Sequence, residues 1–137
     1  MLLGLILPSL VSCRPEPVAP EEARVLILEP SADSTINYAN VSVKTYVEIF
    51  NLVDKIGQAN VPGEGHIVFY LDVTPPLNKG ESALTGAGTY FVTRDTVHVW
   101  EKVPAGAHTF WVQLVNNDNT PLEPPAAVYV PVTVKLK

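Results

Sequence analysis

The chain has 137 residues, nine basic against fourteen acidic side chains, a net charge of −5 and one cysteine. That length suits a single domain able to bury a core without disulfides, and one thiol makes no intramolecular bridge. With no Lys/Arg cluster, the charge balance argues against a nucleic-acid partner and against electrostatic attachment to anionic lipid.

In chain order, the run from Met1 to Val11 is too short to span a bilayer, which takes about 20 apolar residues. It has the length of a signal-peptide apolar region. The run ends in Leu10-Val11-Ser12-Cys13, which resembles the lipobox of bacterial lipoproteins. The resemblance implies a signal peptide over 1–12, cleavage before Cys13 and a diacylglycerol on the Cys13 sulfur. The protein would then sit in the cell envelope, lipid-anchored at the extracytoplasmic face of a bacterial or archaeal membrane. No Lys or Arg follows Met1, as such leaders require, so the natural start is expected elsewhere. A buried terminal strand or helix is the other reading of this run; Pro8 and the polar sequence after Cys13 argue against it. Residues 14–22, RPEPVAPEE, cannot form a core element. Together with Cys13 they read as a semi-rigid tether (13–22) reaching roughly 25–30 Å from the lipid.

From Ala23 to Lys137 the apolar pattern has a period of two, the strand signal. Val41, Val43, Thr45, Val47 and Ile49 alternate with polar residues, as do Val128, Val130, Val132, Val134 and Leu136. Ile67, Phe69, Leu71 and Val73 form a face opposite His66, Tyr70 and Asp72, and Phe110, Val112 and Leu114 one opposite Thr109, Trp111 and Gln113. Shorter runs at Arg24–Glu29, Gly88–Thr93 and Thr96–Lys102 bring the count to about seven strands. Turn chemistry separates them at Pro30–Ser34, Val61–Gly65, Pro75-Pro76, Pro104–Gly106 and Asn116–Asn119. Pro131 removes one ladder donor and belongs at an edge, a bulge or an outward N–H. No helical period is sustained. The expected fold is all-β: a two-sheet antiparallel sandwich, immunoglobulin-like in architecture and without the Cys…Trp…Cys core of antibody domains.

Three blocks extend that reading: Gly65-His66-Ile67-Val68-Phe69-Tyr70-Leu71-Asp72, Val103-Pro104-Ala105-Gly106-Ala107-His108-Thr109-Phe110, and Gln113–Leu122 with its Asn116-Asn117-Asp118-Asn119. They resemble an uncharacterised family of exported bacterial and archaeal immunoglobulin-like domains whose blocks read G-H-x-H, P-x-G-x-H-T and N-N-D-H. Two of that family's histidine positions are Val68 and Asn119 here. The resemblance implies the fold and brings no activity.

Candidate sites follow from residue chemistry. His66 and His108, each after a Gly-containing turn, could meet at one end of the sheets. With His98, Asp72 or Asp118 they could bind copper or zinc. The alternative is that these histidines hydrogen-bond turn backbone and fix loop geometry. No nucleophile elbow, no cysteine nucleophile outside the leader and no phosphate loop is present, and Asp54, Asp72, Asp95 and Asp118 read as turn acids. Of the aromatics, Tyr70 and Trp100 are candidates for stacking on a sugar or a protein partner, with Trp111 favoured for a core face. The expected function is a lipid-anchored extracytoplasmic binding or interaction module without catalysis. Its partners would be the membrane, through the lipid, and a protein or glycan. The alternatives are a copper- or zinc-binding accessory protein using His66 and His108, and a carbohydrate-binding module.

Overall fold

The computed structural model describes residues 21–137, with residues 4, 6 and 8. Cys13, most of the expected signal peptide and the tether through residue 20 lie outside the described residues. The described residues contain nine strands: β1 (Arg24–Glu29), β2 (Ser34–Ile36), β3 (Val41–Glu48), β4 (Asn51–Leu52), β5 (Glu64–Leu71), β6 (Tyr90–Thr93), β7 (Val97–Trp100), β8 (Gly106–Val115) and β9 (Pro121–Val134). No helix of these residues is long and apolar enough to cross a membrane.

The strands make the expected two-sheet sandwich. One sheet has the order β1-β3-β7; the other runs β2-β9-β8-β5-β4, with β6 also paired to β5. This matches the A-B-E and G-F-C layers of immunoglobulin-like domains. The strictly antiparallel expectation fails at two places, where β2 runs parallel to β9 and β4 parallel to β5. Both added strands are two or three residues long, too short to carry a periodic signal. β9 also begins seven residues before the first expected position, Val128. A bulge lets Val115 pair with Pro121 while Leu114 pairs with Ala126, so Pro124 and Pro125 bypass the ladder and cost it no donor. Pro131 accepts the Asp33 N–H at 2.7 Å. A residue's N–H and C=O point to one side of its strand, so the missing donor faces the β2 edge.

The core follows the alternation. Val25, Val41, Val43, Ile67, Phe69, Phe110, Val112, Leu114, Val130, Val132 and Val134 are buried between the sheets. Ile49 and Leu136, expected on the same faces, lie beyond the strands and are exposed. β5 is buried on both faces, because segment 72–89 folds back over its outer side. There Val68, Tyr70, Ala83 and Val115 form a second small cluster with Val73, Tyr90, Val92 and Trp111.

The two ends of the sandwich differ. At one end the described chain begins: residues 21–23 lie beside Gly63, Asn116 and Glu123. The other end carries the finish of β5, the start of β8 and the finish of β9, with β2 beside it.

Candidate functional site

The three histidines do not converge. β5 and β8 are antiparallel, with His66 opposite Val115. His108 lies seven residues earlier on β8, roughly 23 Å away. The expected meeting of His66 and His108 at one end is therefore corrected: strands that pair antiparallel start at opposite ends. Among the described residues no group of three His, Cys, Asp or Glu side chains could hold a metal ion.

His66 is fully buried at the chain-entry end. Its Nε2 donates to Asn119 Oδ1 at 2.7 Å, while Nδ1 is buried without a partner. Burial pushes its pKa down, more than Asn119 and Asp54 raise it, so the ring is neutral. The Asn116–Asn119 turn fastens the neighbouring loops. The Asn119 carbonyl accepts the Ala83 N–H, and Asn117 Nδ2 donates to the Ala59 carbonyl and Glu64 Oε1.

His108 stands at the far end. Its Nδ1 lies 2.6 Å from Asp72 Oδ2 and its Nε2 2.7 Å from the Pro104 carbonyl oxygen. Both partners only accept, so both ring nitrogens donate and the ring is an imidazolium. Burial pushes its pKa down, but the Asp72 carboxylate and the Pro104 carbonyl outweigh it and hold the value above the ordinary one. Asp72 Oδ1 also accepts the Thr109 N–H at 2.9 Å, and Asp118 Oδ1 accepts the Thr120 N–H, as turn acids do.

His98 sits at the margin of the core, stacked on Phe91 at 4.0 Å between centroids and edge-on to Trp100 at 4.8 Å. Burial pushes its pKa down.

The two aromatic candidates are also corrected. Trp100 is 8% exposed and Tyr70 is 0%, so neither offers a stacking face. Trp100 faces the inter-sheet core, and Tyr70 is covered by segment 72–89, its hydroxyl 2.7 Å from the Ala83 carbonyl and 2.9 Å from Gln113 Oε1. Burial raises the Tyr70 pKa.

What replaces them is a row in cross-strand register over the outer face of the larger sheet. Tyr129 pairs with Trp111, Trp111 with Tyr70, and Tyr70 with Tyr90. Tyr129 is 59% exposed and Trp111 beside it is half-buried; the buried Tyr70 separates this pair from Tyr90, which is also half-buried. The Trp111 and Tyr129 rings lie 4.7 Å apart at 35°. Further along the same face Thr109 and Pro131, then Ala107 and Thr133, floor a depression of about 390 Å³, with Asp33 and Asp72 beside them. The signal was present in the alternation: Trp111 and Tyr129 each sit between two core residues, so both must point outward.

No family model and no curated protein matches the chain. Among solved structures it is similar to the crystal structure of an engineered protein, at 13% identity and a TM-score of 0.47. The match covers 86% of this chain and 21% of that one.

Proposed function

We propose that this chain is a lipid-anchored recognition module of the cell envelope, held by an acylated Cys13 and without catalytic activity. The anchor rests on the Leu10-Val11-Ser12-Cys13 sequence after an apolar run, and two or three acyl chains suffice for stable attachment. The observation that carries recognition is the open Trp111–Tyr129 pair beside a depression at the end of the sandwich opposite the chain's entry. A tether entering at one end leaves the other free to meet a ligand. A non-catalytic reading is supported by the histidines. His108 has both ring nitrogens engaged and no lone pair for a general base, and the free Nδ1 of His66 is buried.

Two measurements in intact cells test the proposal. Lipid labelling is expected in the wild type and lost in Cys13→Ala; undiminished label in that variant refutes the anchor. A photoreactive amino acid replacing Tyr129 is expected to yield adducts that the same group at Tyr46, a half-exposed tyrosine on the other sheet, does not. Equal adducts at both positions refute the recognition face.

A further inference from the structure

We infer that the outer face of the larger sheet, at its far end, binds an uncharged saccharide stacked on Trp111 and Tyr129 and hydrogen-bonded to Asp33 and Asp72. The inference rests on the recognition face proposed above and names its ligand class.

Four features point to a sugar. First, the aromatic row is interrupted: segment 72–89 covers Tyr70, which leaves exposed Tyr129 with half-buried Trp111 as one pair, apart from the equally half-buried Tyr90. Two rings match the C–H face of one or two pyranoses, whereas a protein interface needs about 800 Å² on each side.

Second, the floor beyond the rings is made of small side chains. Thr109 and Pro131 lie two residues from Trp111 and Tyr129, roughly 7 Å along the strands. A sugar chain lying over the aromatic pair would extend into this depression without meeting a bulky group. Its volume, about 390 Å³, falls within the range of small-ligand sites.

Third, the lining carries two carboxylates against one cation, the His108 imidazolium already paired to Asp72, and no Lys or Arg. Carboxylate oxygens accept from sugar hydroxyls, and a lining of net negative charge, its one cation engaged by Asp72, disfavours phosphorylated, sulfated or uronic ligands.

Fourth, Asp72 is already fixed. His108 and the Thr109 N–H hold one oxygen each, yet the side chain stays 46% exposed. A carboxylate has about four acceptor sites, so two remain for a ligand, and little ordering is left to be done on binding.

The full chain, carrying Cys13→Ser to keep it unacylated, is titrated with cellohexaose, xylohexaose, mannohexaose and chitohexaose, following tryptophan emission and heat. At least one is expected to bind with a Kd below about 1 mM and to shift the emission. The shift belongs to Trp111, since Trp100 is buried. Trp111→Ala or Tyr129→Ala, each checked for an unchanged circular dichroism spectrum, is expected to weaken binding at least about tenfold. Asp33→Asn, which leaves the His108 contact intact, should weaken it about threefold or more. Failure of all four sugars to bind, or binding indifferent to both aromatic variants, overturns the saccharide assignment. If adducts specific to position 129 persist in that case, the recognition face stands with a different ligand; if they are absent too, both readings fall.

Discussion

Among the described glycines, Gly65 is the one where a side chain has no room. A Cβ there would run into the backbone oxygen of Val115 and come within 2.8 Å of Phe50 Cζ. Neither neighbour can withdraw easily, since Val115 closes the ladder between β5 and β8 and Phe50 packs on the core. Gly65→Ala should therefore cost about 2–4 kcal/mol, seen as a thermal midpoint lowered by roughly 10–20 °C. A midpoint within a degree or two of the wild type would show that β5 and β8 can part without loss. In the sequence this glycine reads as part of the Val61–Gly65 turn, because a turn-rich neighbourhood masks a strand residue chosen for close approach. The structure puts it inside β5, paired with Leu52. Composition could reveal that something at Gly65 must be small, but not that the obstacle is a carbonyl from fifty residues away.

At the level of elements, alternation was legible wherever one face of a strand meets the core and the other meets water. The inward valines of β3 and β9, and Phe110, Val112 and Leu114 of β8, all lie where their period places them. It failed where both faces are covered. His66 and Tyr70 alternate with core residues and so read as outward; Tyr70 enters a second cluster under segment 72–89, and His66 is buried against Asn119. Nothing in the period of β5 tells of a cover supplied by a loop. Tyr70 is one of the ties on that loop, and Tyr70→Phe tests it. Losing the hydroxyl leaves the Ala83 carbonyl or Gln113 Oε1 short of a buried donor, at a cost of about 1–3 kcal/mol. Segment 72–89 should become the first region to exchange its amides and the first site of proteolytic nicking. An unchanged exchange pattern would mean that Ala83 packing, the Asn119 carbonyl and the Gln113–Pro76 hydrogen bond suffice to hold the loop. The candidate site escaped the sequence for a related reason. Trp111 and Tyr129 could be placed on outward faces, but their pairing needs the register of β8 against β9, which a bulge shifts by several residues.

Taken whole, the molecule is closed by opposite chemistry at its two ends. At the chain-entry end a neutral His66 and the asparagines of the 116–119 turn tie the loops, Asn117 reaching both the Ala59 carbonyl and the Glu64 carboxylate. At the far end an imidazolium, His108, joins the finish of β5, the Pro104 turn and the start of β8. These ends answer pH in opposite directions. His66 and His98 have folded pKa values below the unfolded one, so below about pH 6.5 the unfolded chain takes up protons that the fold refuses, and stability falls. His108 has a folded pKa above its unfolded one: its contribution is complete below about pH 6.5 and is lost as pH rises through the folded value. Stability as a function of pH should therefore peak in the neutral region, with the alkaline slope owed to the far end and the acid slope shared with the carboxylates. His108→Gln separates the two. The variant should fall short of the wild type by a wider thermal margin at pH 6 than at pH 8.5, and its alkaline slope should flatten while the acid one stays. An equal deficit at both pH values would mean that the His108 ring contributes by shape and not by charge. In that case Asp72 would hold its place through the Thr109 N–H alone, and the carboxylate offered to a ligand would be as well placed without the imidazolium as with it.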